Sequence, residues 1–377
     1  MPRRNNERAH YIMTDRGGSS AVDRRAMLAG MLAGAGAALA PTWGRTEDKD
    51  PPPPSSIESL EIDARPIRHF ERGRPEVKRF GQLEFRGGLV LSSPSANFGG
   101  WSGLVMEADG KSLLAISDIG SWMTANIAYD GSRPTGLTRA RLGPLLGSRG
   151  QPLEAKREQD AEAVTLLEGN LQRGMLLIGF ERLHRVGRFP VRDGQVLAPT
   201  GYLKMPADAK SMRPNQGIEA LAVLKGGPHK GAVVAFAERL TRGSGYHTGW
   251  IWIGSEAHKF GLQDIDGFNI TDAASLADGS LLVLERYFRW SEGVKMRLRH
   301  IAANEIAPGT RIAGRTLFQG DSSFEIDNME GMAVHQGTAG ETIVSLISDD
   351  NFNHLLQRTL FLQFTLLAET PKNASRP

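Results

Sequence analysis

Between about residues 59 and 370 the apolar positions fall into short runs of strand length. Few stretches there keep a 3.6-residue period for more than ten residues. Five pairs of runs align as hairpins. The first joins Ser102-Gly103-Leu104-Val105, through a turn at Asp109-Gly110, to a run from Leu113 that ends on Asp118. In the next two, Glu162-Ala163-Val164-Thr165 leads to Met175–Glu181, and Glu219-Ala220-Leu221-Ala222 to Ala232–Glu238. In the last two, Asp272-Ala273-Ala274-Ser275 leads to Leu281–Glu285, and Glu330-Gly331-Met332-Ala333 to Thr342–Asp349. The starts at 102, 162, 219, 272 and 330 lie 60, 57, 53 and 58 residues apart. In three units the opening and closing acids are 19 residues apart, an interval that composition alone would not hold.

Further strand-like runs lie between the hairpins, such as Gly249–Ile253 and Lys295–His300. Four strands in roughly 55 residues, repeated, is the pattern of a β-propeller blade. Division of the chain by that period predicts an all-β, six-bladed β-propeller. Five blades come from the hairpins. The sixth is assembled from Gln82–Leu91 and Thr359–Leu367, so that N- and C-terminal strands pair and close the ring without a free sheet edge.

Composition refines this picture at two points. The 44 glycines suit many tight turns, and the absence of cysteine excludes disulfides, thiolate metal sites and a Cys nucleophile. The formal charge of +3 belongs to the N-terminus. Residues 1–40 hold six basic and three acidic residues, which leaves 39 of each in the rest. A basic body that would seek nucleic acid is therefore not expected. Arg24-Arg25 precedes an uncharged run of 15 residues, Ala26–Ala40, shorter than the roughly 20 that span a bilayer. Paired arginines before an Ala/Gly-rich run are similar to a twin-arginine signal. The predicted division is a signal peptide over 1–40, a Pro-rich linker over 41–58, the propeller over 59–370 and a disordered tail over 371–377. Periplasmic or secreted location, with no stable membrane span, follows from that division.

A propeller's innermost strands line its axis. One acid per hairpin end therefore predicts crowded carboxylates, which repel unless protonated, paired or bridged by a cation. Glu162, Glu219, Glu330 and Asp349 are the predicted ligands of Ca²⁺ or another divalent cation, because hard cations take oxygen donors. Repeated Glu-Arg pairs, Glu181-Arg182, Glu238-Arg239 and Glu285-Arg286, offer the alternative of salt bridges that stitch neighbouring blades. The second unit departs from the rest: Glu181-Arg182-Leu183-His184-Arg185 puts acid, base and cations in one turn. Glu181 and His184 are the candidate catalytic residues, and Arg182, Arg185 and Arg239 the candidates to hold an anionic group. Gly-x-Ser-x-Gly, His-Glu-x-x-His, P-loop and dinucleotide-loop motifs are absent.

Several stretches resemble the phytase-like family, known for esterase-like activity of phytase. They are Phe98–Leu104, Leu114–Asp118 with Trp122, Asp160-Ala161-Glu162-Ala163, Phe180–Arg185, Asn215–Ala222 and Asn328–Ala333. The resemblance runs from about Phe80 to Leu367. It implies an exported bacterial propeller that hydrolyses a phosphate or other ester, a small anionic substrate, with calcium as the implied cofactor. At Ser117-Asp118-Ile119-Gly120 the chain departs from the family's commoner Ser-Asp-Arg-Gly. The alternative function is a non-catalytic propeller that binds a ligand or protein partner in the cell envelope.

Overall fold

The inner hairpin strands are apolar without alternation, because both their faces are covered. In Leu281–Leu284 every side chain is buried. Successive strand residues point to opposite faces, so Leu281 and Val283 join one apolar cluster and Leu282 and Leu284 another. Each cluster fills the seam between two successive blades. The computed structural model, which describes residues 50–213, 216–237 and 244–368, has five such clusters and five sheets.

Blade 1 contains Trp101–Met106, Ser112–Ser117, Ser121–Asp130 and Arg133–Pro144, with Glu58–Leu60 at its edge. Blade 2 contains Ala161–Gly169, Arg173–Phe180 and Arg185–Arg192, edged by Gln195–Val196 and Gly201–Tyr202. Blade 3 is Ile218–Val223, Val233–Ala237, Tyr246–Ile253 and Glu256–Gln263, with Arg311–Ile312 added in parallel. Blade 4 is Asn269–Ser275, Leu281–Arg289, Gly293–Ile301 and Arg315–Gly320. Blade 5 is Asn328–Gln336, Thr342–Asp349, Thr359–Leu366, Leu83–Ser92 and Asp63–Ile67. The five first strands adjoin in a cycle, each touching the first strand of the blade before and after it.

The propeller therefore has five blades, and the expectation of six is corrected. The two segments assigned to a sixth blade are outer strands of blade 5, where Leu83–Ser92 runs antiparallel to Thr359–Leu366. Neither segment carries an inner hairpin, so they cannot make a blade of their own. The division by period failed because connections and edge strands use chain length without adding a blade. Leu145–Asp160 and Ala302–Thr310 are two such connections. Among the described residues no helix is long and apolar enough to cross a membrane. The predicted signal peptide, the first half of the linker (41–49) and the tail lie outside the described residues.

Candidate functional site

Each first strand carries a β-bulge close to its start. The register skips Ser102, Glu162, Glu219, Thr271 and Glu330, so one residue per blade stands outside the ladder there. A bulge re-aims a side chain and sharpens the local twist. The same registers align the second-strand residues one place past the partner of the residue before the bulge: Asp118, Glu181, Arg286 and Asp349. Blade 4 thus differs from the sequence alignment by one place. Thr271, not Asp272, is its bulge residue, and Arg286, not Glu285, takes the place held by acids elsewhere.

That shift decides what each carboxylate does. Arg286 reaches Glu330 of blade 5, Nε to Oε1 3.1 Å, an ion pair across a seam. Asp272 is buried and accepts from its neighbour's amide, Ala273 N at 2.8 Å, and from Met332 N of blade 5 at 2.7 Å. Its burial pushes the carboxyl well above the usual range. Asp349 accepts from Asn351 N at 2.6 Å and from Asn328 Nδ2 at 3.3 Å. Glu219 is half-buried at the bulge of blade 3.

Blade 2 alone among the described residues brings three acids together. Ligand oxygens of Asp160, Glu162 and Glu181 lie within 4.8 Å of one another, and all three residues are buried. The local backbone explains the convergence. Glu162 is the bulge residue and Asp160 stands two places before it, and Glu181 N donates to Asp160 O at 2.9 Å, which sets the third acid opposite the first. Arg182 Nε donates to Asp160 Oδ2 at 2.6 Å, and Lys156 Nζ lies 3.9 Å from Asp160 Oδ1. Both of these cations sit on Asp160. The 19-residue interval points to Glu162 and Glu181 and passes over Asp160. The signal for it is Asp160-Ala161-Glu162, two acids straddling the residue before the bulge.

His184 is half-buried in the turn after Glu181. Its Nε2 lies 3.3 Å from Met212 O, and its Nδ1 has no partner among the described residues. Burial holds its pKa below the ordinary imidazole value, so the ring is neutral at pH 7. Arg185 is committed to the fold. It donates to Glu158 O at 2.6 Å and Leu183 O at 3.1 Å, with its guanidinium 3.8 Å from the Phe180 ring centre. Arg239 and Glu238 lie outside the described residues.

Blade 3 presses on this cluster through a residue without a side chain. A Cβ on Gly217 would lie 2.4 Å from Glu181 Cα and 2.7 Å from its Cγ. Gly217→Ala is expected to displace Glu181 while the sheets persist. A variant with unaltered far-ultraviolet circular dichroism and a weakened response to divalent cations in thermal melts would match this. A full response would show that the seam yields without moving Glu181.

A family model described as "Phytase-like: Esterase-like activity of phytase" matches residues 96–352. No curated protein matches the chain. Similar solved structures are distant ones. An endo-arabinase from Bacteroides thetaiotaomicron is 12% identical, with a TM-score of 0.42 over 69% of this chain and 91% of that one. The Cps50 (Swd1) β-propeller domain of Myceliophteria thermophila is 10% identical, with a TM-score of 0.37 over 81% of this chain and 99% of that one. Likenesses this distant carry no argument about the site.

Proposed function

The chain belongs to the phytase-like family, and on that premise we propose that it hydrolyses a phosphate or other ester at the blade 2 cluster with a divalent cation. The convergence of Asp160, Glu162 and Glu181 carries this reading. The donor set fits a hard cation: three buried carboxylates, of which Arg182 engages Asp160. Glu162 and Glu181 would hold the ion, with Asp160 shared between it and Arg182. Such an ion supplies Lewis-acid polarisation of an ester oxygen and a lowered pKa for a bound water.

The chain's own residues supply the rest. Neutral His184, in the turn that follows Glu181, accepts or returns a proton. Asp160 orients Arg182 toward the same cluster, where it neutralises charge on an anionic substrate. Arg185 shapes the turn and is not assigned to substrate. Export to the periplasm or outside the cell is part of the proposal, supported by Arg24-Arg25 and the run that follows.

The test is the purified protein assayed on phytate and on aryl esters, with chelator, with Ca²⁺ and with other divalent cations. Hydrolysis that chelator removes and a cation restores is the expected result. Absence of hydrolysis in every condition would overturn the reading and leave the ligand-binding propeller in its place.

A further inference from the structure

The Pro-rich segment before blade 1 makes a charge contact that leads into the blade 2 cluster. Asp50, directly before Pro51–Pro54, has its Oδ2 2.7 Å from Lys156 Nζ. Lys156 opens the short helix Lys156–Gln159, in the connection from blade 1 to blade 2. The same Nζ lies 3.9 Å from Asp160 Oδ1. The side chains of Asp50 and Asp160 are 12% and 0% exposed, so water and salt screen this row of charges only weakly.

One part of this row can move and the others cannot. The helix is pinned by Gln159, which is buried and whose Nε2 donates to Leu153 O at 2.8 Å and to Glu154 O at 3.1 Å. Pro54 is buried, and four successive prolines make a stiff, extended segment that fixes where Asp50 stands. The Lys156 side chain is a flexible four-carbon stem, and it lines a cavity of about 500 Å³, so it has room to turn. Its 2.7 Å contact with Asp50 is a hydrogen bond, whereas 3.9 Å to Asp160 is too long for one. A shift of about 1 Å would reverse that preference.

We propose that Asp50 is a positioning residue: it holds the Lys156 ammonium away from Asp160 and so keeps the blade 2 cluster open to a divalent cation. The proposal rests on the metal reading given above. Arg182 engages Asp160 Oδ2, so Oδ1 is the oxygen through which Asp160 would share an ion. An ammonium bonded to Oδ1 would compete for that oxygen and cancel part of the negative charge that draws the ion in. The Pro-rich segment then acts on the site, where its sequence suggests only a spacer.

Ca²⁺ would be titrated calorimetrically into the full chain and its variants. Asp50→Ala should weaken binding about tenfold, since the released ammonium makes one charge-assisted bond that the ion must break. Asp50 lies outside every strand, so this variant should melt as the unaltered protein does. Lys156→Met should bind Ca²⁺ at least as tightly as the unaltered protein. In the Lys156→Met background Asp50→Ala should have no effect, because its action passes through the lysine. Equal losses in both backgrounds, or unchanged affinity in Asp50→Ala, would overturn the proposal. A crystal structure of Asp50→Ala grown with chelator reads the movement without an ion. Lys156 Nζ within hydrogen-bond distance of Asp160 Oδ1 is expected there. An ammonium turned to solvent, or to Glu154, which lines the same cavity, would overturn the proposal while leaving the metal reading intact. No heat from any chain, the unaltered one included, would instead sink the metal reading, and the positioning role with it.

Discussion

Glu285→Ala is expected to destabilise the protein by about 3–5 kcal/mol, the scale for stripping a buried ion pair of one partner. Glu285 and Arg299 are fully buried, and Arg297 is 1% exposed. Glu285 Oε1 is bonded to Arg299, and Oε2 lies 3.6 Å from Arg297 Nη1. The arginines bind further afield. Arg299 donates to Gln263 O at 2.9 Å and Ala313 O at 2.8 Å, and Arg297 to Ile265 O at 2.9 Å and to Asp266 at 2.9 Å. Arg297 also lies 3.9 Å from the Phe268 ring centre. Without the carboxylate, Arg299 keeps a buried charge whose remaining hydrogen bonds go to neutral carbonyls. Urea denaturation should show the loss as a lower midpoint. A change below about 1 kcal/mol would mean that the arginines find water in the variant.

The same residue gives the stability a pH dependence. Burial pushes the Glu285 carboxyl up to about 7, against the pull of Arg299 and Arg297. Its folded pKa stands above the unfolded value, so the folded state keeps a proton that the unfolded state has released. Stability from this group is present below about pH 4.5 and is lost as pH rises through about 7. Glu285→Gln should flatten that part of the profile, since the amide cannot titrate. A variant profile parallel to that of the unaltered protein would assign the pH dependence to other groups.

Glu162→Gln should produce the largest functional loss, and its effect on stability should depend on the medium. In chelator the amide keeps the shape of the carboxylate, so the variant should melt close to the unaltered protein. With a divalent cation at about 100 times its Kd, the unaltered protein should gain about 2.7 kcal/mol, and the variant little. Ester hydrolysis should fall about a hundredfold or more, the order seen when a group that stabilises transition-state charge is removed. A variant less stable than the unaltered protein in chelator would mean that Glu162 is a structural ion-pair partner. Glu181→Gln should behave alike.

How much of this was legible in the chain depends on where the information is local. The hairpins could be read because turn glycines and aspartates bracket apolar runs, and because alternate residues serve two seams and leave the runs unbroken. Blade number could not, since Leu83–Ser92 and Thr359–Leu366 meet only in three dimensions and neither brings a hairpin. The site was half legible. Glu162 and Glu181 follow from their 19-residue interval, but Asp160 enters through the bulge, which is a property of strand register. Blade 4 misleads for the same reason. Asp272 mimics an opening acid one place late, and only the pairing of Ile270 with Glu285 reveals the slip.

The meeting of Leu83–Ser92 with Thr359–Leu366 also bears on how the molecule is made. Leu91 must wait for Thr359, so the early strand leaves the ribosome long before its partner exists. Blades 2 and 4 and the four main strands of blade 3 can assemble as they emerge, each from nearly contiguous chain, while blade 5 stays incomplete until translation is nearly done. Such remote pairing slows folding, because the cost of closing the loop comes before its reward. The nascent chain would thus carry an exposed apolar strand through most of its synthesis, the interval in which a chaperone has the most to protect.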